Sequence, residues 1–467
     1  MPSNSLSLFR KEISCDGRTP AQTGCARAVP GATQGGCCFD GARNALLPIR
    51  DAAHIVHGPI DCAGTSWDNR GSRSSGETLF KVGLTTAMSE LDFAMGRGVD
   101  RLAEAIDFAV ARFSPPAIFI YTTCLPAMIG VDVEGVSEAA SERHGLPVIA
   151  IDCAGFLGNK NYGQRIAGDA LLRRVIGTRE PSPTPRVPGI ERVRDINLIG
   201  EWNVGGEFWS VAPLFDELGL RILCTLSGDS RYRDVQTMHR SEANLVVCSK
   251  AMLRLANQLQ EKYRTPYFEG SFYGVSATSA TLRGFARALN DPDLAQRTAA
   301  LIAREEDRVT RELAPVRYSL RGRKALVFAG GFKSWSTVSA ALDLGMTVVG
   351  TGVEKSTDED KVRIRDLLGP KARMIEDNDQ ETLLRTFKDT GAEILIAGDR
   401  YIYPALKARV PFLDLDHVRD VGYAGYDGAI EFGRRIQLAI DHPVWARVGR
   451  RPPWERDAEP EAGKGAA

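Results

Sequence analysis

The segment Ile118-Phe-Ile-Tyr-Thr-Thr-Cys124 shows the pattern that decides the fold. It is a short, apolar, β-branched run that ends in a cysteine and leads into a helical stretch. The runs Ala53-His-Ile-Val-His57 and Pro147-Val-Ile-Ala-Ile151 are of the same kind, and an amphipathic helical stretch covers residues 101–113 between them. Short strands that alternate with helices predict an α/β fold with parallel sheets covered by helices.

The alternation of strand and helix occurs in three successive parts of the chain, which predicts three Rossmann-like domains. The segment Glu180-Pro-Ser-Pro-Thr-Pro-Arg-Val-Pro188 is a linker, because its prolines disfavour both helix and sheet. Residues before the first strand are rich in Gly, Pro, Thr and Ala without a period, so we expect an irregular N-terminal arm. The predicted parts are an arm (1–45), a first domain (46–190), a second domain (191–315), a third domain (316–455) and a disordered tail (456–467).

Charge and hydropathy exclude some classes of partner. Lys+Arg and Asp+Glu both number 59 in 467 residues, so no overall field favours nucleic acid or an acidic membrane surface. The N-terminus shows no secretory signal pattern, and the apolar runs are too short to span a bilayer. We therefore expect a cytoplasmic protein, in which nine cysteines are not disulfides but buried residues, metal ligands or catalytic thiols.

Three cysteines occupy positions typical of a cluster site. Cys37 lies in Gly35-Gly-Cys-Cys-Phe-Asp-Gly41, while Cys62 and Cys124 each follow a predicted strand. Ligands of open α/β sheets bind outside the carboxyl ends of strands, and the absence of any CxxC pair argues against a zinc ribbon. The pattern fits an iron–sulfur cluster, and it fits ordinary buried cysteines equally well. Such a cluster is one thiolate short of four, with the fourth from a partner chain or from another thiol of the arm.

The remaining cysteines give weaker signals. Cys248 also ends a predicted strand and precedes a helix, which suits either a second ligand site or a core residue. Cys153 and Cys224 are predicted to be packing residues, since they lie in or near apolar runs. For the arm cysteines we expect no ligand role; they are Cys15, Cys25 and Cys38.

Three basic side chains are candidates for contact with an anionic ligand. Arg70 and Arg73 suit a negatively charged cluster or salt bridges at a subunit interface. His239 suits a hydrogen bond to cluster sulfur or an organic acid, or a structural role. Widely spaced histidines make a hydrolytic triad a poor explanation.

Several long segments resemble one known family. They are Pro30-Gly-Ala-Thr-Gln-Gly-Gly-Cys-Cys-Phe-Asp-Gly-Ala42, His57-Gly-Pro-Ile-Asp-Cys-Ala-Gly-Thr-Ser-Trp-Asp-Asn-Arg-Gly-Ser-Arg73, Gln236-Thr-Met-His-Arg240 and Tyr423-Ala-Gly-Tyr-Asp-Gly428. Together they resemble the NifE-type branch of the nitrogenase component 1-like family. Members of that branch are the α-type subunits of the scaffold that matures the nitrogenase iron–molybdenum cofactor.

The resemblance implies a ligand set and a set of partners. Cys37, Cys62 and Cys124 would bind a [4Fe–4S] cluster whose fourth thiolate comes from a NifN-like β subunit, in an α₂β₂ heterotetramer. Cys248, with Arg70 and His239 nearby, would bind an all-iron precursor that is later matured with molybdenum and homocitrate. The nitrogenase iron protein and a precursor-supplying protein would make transient contacts.

One departure separates a scaffold from a catalytic subunit. In the catalytic nitrogenase α subunit a histidine ligates the far metal of the cofactor, and the equivalent position here is Ala424. A methyl group is no metal ligand, so Ala424 favours a scaffold that releases its cluster over a nitrogenase-like reductase. Asp399-Arg-Tyr-Ile-Tyr403 departs from the usual family pattern, which leaves a vanadium-system scaffold as an alternative, and Cys38 leaves open which cysteine of the pair is the arm ligand.

Overall fold

The computed structural model describes residues 13–14, 26–27, 36–67, 72–76, 78–247, 249–329, 332–354, 356–376, 379–416 and 420–448. Within these residues Ile13–Ser14 and Ala26–Arg27 form a two-stranded antiparallel ribbon, and the residues from 53 onward form three parallel sheets in succession, each flanked by helices. The strands are, in the first sheet, β1 (Ala53–His57), β2 (Leu84–Thr85), β3 (Ile118–Thr122) and β4 (Val148–Asp152); in the second, β5 (Arg194–Ile199), β6 (Leu220–Leu226), β7 (Ala243–Val246) and β8 (Tyr267–Glu269); in the third, β9 (Lys324–Phe328), β10 (Thr347–Gly352), β11 (Met374–Ile375), β12 (Ile394–Ala397) and β13 (Phe412–Asp414).

The helices cover both faces of the sheets and connect successive strands. They are α1 (Cys38–Leu46), α2 (Ile60–Trp67), α3 (Glu90–Ala94), α4 (Gly98–Phe113), α5 (Cys124–Met128), α6 (Val133–His144), α7 (Lys160–Arg174), α8 (Glu207–Leu218), α9 (Tyr232–Thr237), α10 (Ser249–Tyr263), α11 (Val275–Ala288), α12 (Pro292–Leu320), α13 (Phe332–Asp343), α14 (Asp358–Leu368), α15 (Gln380–Thr390), α16 (Ile402–Ala408), α17 (Gly425–Asp441) and α18 (Val444–Val448). None of the helices described is both long and apolar enough to cross a bilayer.

Each sheet starts at an inner strand and then adds strands on both sides. The strand orders are β2-β1-β3-β4, β8-β7-β5-β6 and β11-β10-β9-β12-β13, with parallel pairing throughout. The order in which strands are added to each sheet therefore reverses beside β1, β5 and β9. At such points the connections leave to opposite faces, which opens a crevice at the carboxyl ends of the strands.

The inner strands are buried on both faces, as the apolar runs of the sequence predict. Every residue of β1 and of β3 is buried, because helices cover both sides of the first sheet. Strand β1 has the bounds expected from the sequence. The predicted α/β class with three parallel sheets is confirmed.

The predicted N-terminal arm is wrong over its last residues. Helix α1 begins at Cys38 and is largely buried, with Phe39, Ala42, Ala45 and Leu46 recurring at helical spacing on its inner side. The helical recurrence of apolar residues is weak in the sequence, because this stretch contains small residues and is flanked by glycines. The predicted tail, residues 456–467, lies outside the described residues.

Candidate metal centre

Three thiols meet at the crevice of the first sheet. Cys62 lies in the first turn of α2, which follows β1, and Cys124 is the first residue of α5, which follows β3. Cys37 is the N-cap residue of α1, with an extended backbone at φ −90° and ψ 178°. Each thiol thus stands at the amino end of a helix, where unpaired N–H groups favour negative charge.

Gly155 shows how closely the thiols approach. A Cβ on Gly155 would lie 3.0 Å from Sγ of Cys124 and 3.3 Å from Sγ of Cys37, so both sulfurs flank this glycine. Gly155 opens a 3₁₀ turn, Gly155–Leu157, that follows β4. The absent side chain leaves a cradle beside the thiols that a bulky inorganic group could fill.

The surroundings of the thiols raise the pKa values of Cys37 and Cys62. Burial raises the pKa of Cys37, and the backbone N–H of Asp40 acts in the opposite direction. Burial also raises the pKa of Cys62, and the neighbouring Cys124 and Cys37 thiols raise it further. Thiolates are the metal-binding form, so a bound metal would have to supply the positive charge that keeps these thiols deprotonated.

A single metal ion and a cubane cluster require ligands at different spacings. Among the residues that the structure describes, no three His, Cys, Asp or Glu side chains are grouped tightly enough to hold a single metal ion. A cubane cluster places each thiolate on a separate iron, so its ligands stand further apart than those of one ion. None of Cys37, Cys62 and Cys124 is in a disulfide.

The structure separates Cys37 from Cys38. Cys38 is fully buried in the core between α1 and α7, where it lies near the equally buried Cys153. Cys37 is only partly buried, and its sulfur faces Cys124. The packing role predicted for Cys153 and Cys224 is confirmed, since both are buried in this core.

Helix α1 is fixed by direct backbone contact with α7. A methyl group on Gly41 would collide with the carbonyl group of Lys160, and one on Gly163 would collide with the carbonyl group of Cys38. The backbone N–H of Lys160 donates to the carbonyl oxygen of Gly36 at 3.0 Å, and its Nζ pairs with Asp40 at 3.2 Å. These contacts set the position of Cys37.

Exposed apolar side chains lie on the elements next to the thiols, and we call them the apolar rim. Met128 at the end of α5 is 70% exposed, and Ile60, two residues before Cys62, is 63% exposed. Leu125 in α5, Ile129 directly after α5 and Phe156 in the turn Gly155–Leu157 are also exposed. Exposed apolar side chains in such number are typical of a binding surface for another protein.

Two of the predicted precursor ligands cannot be located. Cys248 and Arg70 lie outside the described residues, although β7 ends at Val246 and α10 begins at Ser249. Strand β7, which pairs with β5, ends two residues before position 248 in the sequence. Arg73 is described, and its Nη2 donates to the carbonyl oxygen of Asp420 at 2.8 Å.

His239 lies at the other edge of the second sheet. It belongs to the 3₁₀ turn Met238–Arg240, which precedes the amino end of β7. Its Nε2 is 3.4 Å from Oε1 of Glu180, and its ring centroid is 5.6 Å from that of Tyr263. These contacts favour a structural role for His239 over a hydrogen bond to cluster sulfur or to an organic acid.

The buried histidines of β1 do not form a pair. Nδ1 of His54 is 2.8 Å from the Tyr121 hydroxyl, whereas Nδ1 of His57 is 3.2 Å from the Thr86 hydroxyl. Burial lowers the pKa of His54 to about 3 and that of His57 to about 4, so both rings are neutral near pH 7.

Ala424 lies where the third part of the chain meets the second sheet. It is fully buried at the N-cap of α17 and pairs with Tyr273 in an isolated antiparallel bridge. The N–H of Gly425 donates to the carbonyl oxygen of Phe272 at 2.8 Å, which fixes this contact. The segment containing Arg400 borders a small cavity of about 60 Å³ at the carboxyl ends of the third sheet.

Sequence reasoning missed several residues that shape these sites. Gly155, Gly41 and Gly163 act by lacking a side chain, and a lone glycine after a strand or within a helix is a weak signal. Asn203 and Asp229 follow β5 and β6, and both adopt positive φ, at 51° and 57°. Their only sequence signal is the polar residue type at a strand end.

Comparisons with known proteins assign the chain to a family. The family model described as nitrogenase component 1 type oxidoreductase matches residues 37–441, and the chain belongs to this family. A solved structure of the same class, nitrogenase Cp1 at pH 5, superimposes with a TM-score of 0.80 and 28% identity, covering 92% of each chain.

Curated relatives narrow the family to one branch. The chain is 52% identical over 456 residues to the nitrogenase iron-molybdenum cofactor biosynthesis protein NifE of Klebsiella pneumoniae, covering 97% of this chain and 100% of that protein. It is 47% identical over 431 residues to NifE of Nostoc sp. (strain PCC 7120 / SAG 25.82 / UTEX 2576), covering 92% and 88%. The resemblance predicted from the sequence is confirmed.

Proposed function

We propose that this chain is the α-type subunit of a scaffold on which the nitrogenase iron–molybdenum cofactor is assembled. The relatives that it matches over nearly their full length are named for the biosynthesis of that cofactor. The observation that carries the proposal is the meeting of Cys37, Cys62 and Cys124 at the crevice of the first sheet.

The three thiols would hold a [4Fe–4S] cluster shared with a partner. A four-thiolate cluster needs one more ligand, and the apolar rim around the thiols provides a surface through which another subunit can supply it. A NifN-like β subunit in an α₂β₂ heterotetramer fits this requirement. Cys37 rather than Cys38 is the arm ligand in this proposal, because only Cys37 faces Cys124. When bound, the cluster supplies one-electron redox chemistry.

A second site would hold the all-iron precursor, which is the cargo of the scaffold. Cys248 follows the carboxyl end of β7, and Arg70 is the basic residue proposed to contact the anionic cargo. Ala424 supports transient binding of the precursor. Its buried methyl group lies beside Tyr273, and a metal-binding imidazole at this position would hold the cargo more firmly. Maturation would add molybdenum and homocitrate, with transient contacts to the nitrogenase iron protein and to the precursor-supplying protein.

The decisive experiment isolates the complex of this chain with its NifN-like partner and measures its metals and its ability to donate a cluster. We expect iron in excess of four atoms per αβ unit, and activation of a cofactor-free nitrogenase after molybdate, homocitrate and the iron protein are added. A complex that keeps a heterometal cofactor and itself turns over a reducible substrate would refute the proposal. Vanadate that supports activation where molybdate does not would assign the scaffold to a vanadium system.

A further inference from the structure

The buried side chain of Thr123 does not cap the helix that it precedes. Thr123 is 1% exposed and lies at the N-cap position of α5, directly before Cys124. Threonine at an N-cap usually accepts a hydrogen bond from the second or third N–H of the helix, and here the side chain forms no such bond. The third residue of α5 is Pro126, which has no N–H to offer. The hydroxyl is therefore directed to other partners.

One partner of the hydroxyl is the last residue of β1. Oγ1 of Thr123 donates to the carbonyl oxygen of His57 at 2.9 Å, and the backbone N–H of Thr123 donates to the same oxygen at 3.1 Å. A buried carbonyl group needs one hydrogen bond to be satisfied, and this one receives two. The carbonyl group of His57 would therefore stay satisfied if the hydroxyl turned elsewhere.

The second partner is the thiol of Cys62. Burial raises the pKa of Cys62, and a hydrogen bond with the Thr123 side chain acts in the opposite direction. A hydroxyl group has one proton to donate and two lone pairs that accept. While the hydroxyl donates to His57, its oxygen can accept from the Cys62 thiol. Metal binding removes the thiol proton, and the sulfur then becomes an acceptor for the hydroxyl.

Gly58 leaves the space that the Thr123 hydroxyl occupies. A Cβ on Gly58 would lie 1.9 Å from Oγ1 of Thr123. The N–H of Gly58 donates to the Thr86 hydroxyl at 3.0 Å, and its carbonyl oxygen accepts from the N–H of Met88 at 3.0 Å. Because this backbone is held on both sides, the position of the hydroxyl relative to Cys62 is set by close packing.

We propose that Thr123 is a positioning residue for the interface cluster: its hydroxyl donates to Sγ of Cys62 when the cluster is bound, and this hydrogen bond makes the cluster easier to reduce. Only the O–H bond has to rotate, because the N–H of Thr123 keeps its bond to His57. A hydrogen bond to a ligand sulfur stabilises the form of the cluster that carries the extra electron. This inference rests on the proposed function, in which Cys62 is a ligand of that cluster.

The test compares variants that differ in one hydroxyl group. Thr123→Val replaces the hydroxyl by a methyl group of similar size, whereas Thr123→Ser keeps the hydroxyl. Thr86→Val is the matched control, because Thr86 is also buried but its hydroxyl contacts Nδ1 of His57 and the N–H of Gly58. Each protein is isolated as the complex with the NifN-like subunit from cells that do not make the precursor, so that the interface cluster alone contributes to the spectrum.

The readout is the midpoint potential of the interface cluster, from a redox titration followed by electron paramagnetic resonance. At a fixed potential, the ratio of reduced to oxidised cluster should fall roughly tenfold in Thr123→Val, which corresponds to about 59 mV for a one-electron couple. Thr123→Ser and Thr86→Val should keep the wild-type potential. A residue that only supports the fold would not separate Thr123→Val from Thr123→Ser in this way.

Four outcomes would contradict the inference. A wild-type potential in Thr123→Val with full cluster iron, or an equal shift in Thr86→Val, would overturn it and leave the scaffold function intact. If Thr123→Val binds no cluster, Thr123→Ala takes its place, because it removes the hydroxyl without placing a methyl group against Gly58. Loss of iron from both variants would show that the hydroxyl holds the backbone rather than tuning the cluster, and would overturn the inference too. Wild-type complex without cluster iron would overturn the proposed function as well.

Discussion

Gly163 and Cys38 are in direct backbone contact where helices α7 and α1 cross. A methyl group on Gly163 would collide with the carbonyl oxygen of Cys38, and the residue before Cys38 is the ligand candidate Cys37. The position of Cys37 relative to Cys124 therefore depends on how closely two helices approach.

We expect Gly163→Ala to reduce the occupancy of the interface cluster. The added methyl group must push α1 away from α7, at a cost of about 1–3 kcal/mol in the free energy of unfolding, and Cys37 moves with α1. Iron content and the electron paramagnetic resonance signal of the reduced complex measure the occupancy, and circular dichroism checks that the fold persists.

Gly168→Ala is the matched control in the same helix. A Cβ there would meet Cβ of Leu255 at 3.5 Å, which is ordinary contact, and alanine stabilises a helix by roughly 0.5–1 kcal/mol relative to glycine. Equal loss of the cluster from both variants would show that the crossing does not position Cys37.

Neighbouring cysteines should respond differently to substitution. Cys37→Ala should remove the interface cluster, because its thiol faces Cys124. Cys38→Ala should keep the cluster and lower the free energy of unfolding by about 1–2 kcal/mol, since it removes a fully buried side chain. Iron analysis and thermal unfolding of the two complexes check both outcomes, and the reverse pattern would make Cys38 the ligand.

Much of the fold could be predicted because its strands are continuous apolar runs. Strand β1 has the predicted bounds, since Ala53–His57 is a buried, β-branched run at an inner position of a parallel sheet. Helix α1 could not be predicted, because its buried face consists partly of cysteine, alanine and glycine. Such residues pack through close backbone approach, which leaves little hydrophobic period.

The candidate cysteines could be predicted from the sequence, but the residues that position them could not. Residue type and strand ends indicated Cys62 and Cys124, because parallel strands present their carboxyl ends at one edge. Gly155 and the α1–α7 crossing could not be foreseen, since each depends on a missing side chain seen only in three dimensions. His239, a candidate for contact with an anionic ligand, lies in a turn that precedes β7.

Thiol reactivity in metal-free complex should rise with pH into the alkaline range. Burial raises the pKa of Cys37 and of Cys62 above their ordinary values, and only the thiolate attacks iodoacetamide. Alkylation at these positions should therefore be slower at pH 7 than for a free thiol of pKa about 8.5, and should still increase above that pH. Site-resolved mass spectrometry measures each rate, and a plateau below pH 8 would contradict the raised pKa values.

Acid should destabilise the first domain through His54. Its pKa is lowered to about 3 from 6.5, so between these values the unfolded chain binds a proton that the folded chain does not. Its contribution, on the order of 5 kcal/mol, is fully present above pH 6.5 and is lost as the pH falls toward 3. His54→Gln should flatten this part of the curve of unfolding free energy against pH, measured by urea titration. An unchanged slope would show that His54 is protonated in the folded protein.

A histidine at position 424 should slow the release of the matured cluster. Ala424 is buried where α17 meets Tyr273 beside the carboxyl end of the second sheet. Imidazole is a ligand for iron and molybdenum, so in the proposed scaffold Ala424→His adds a second attachment for the cargo besides Cys248. The rate at which the complex activates cofactor-free nitrogenase should fall, and molybdenum retained after gel filtration should rise. Ala424→Gln is the control for bulk, because it adds a side chain of similar size without an imidazole. If both variants slow transfer equally and neither retains molybdenum, the effect is steric and Ala424 does not account for release.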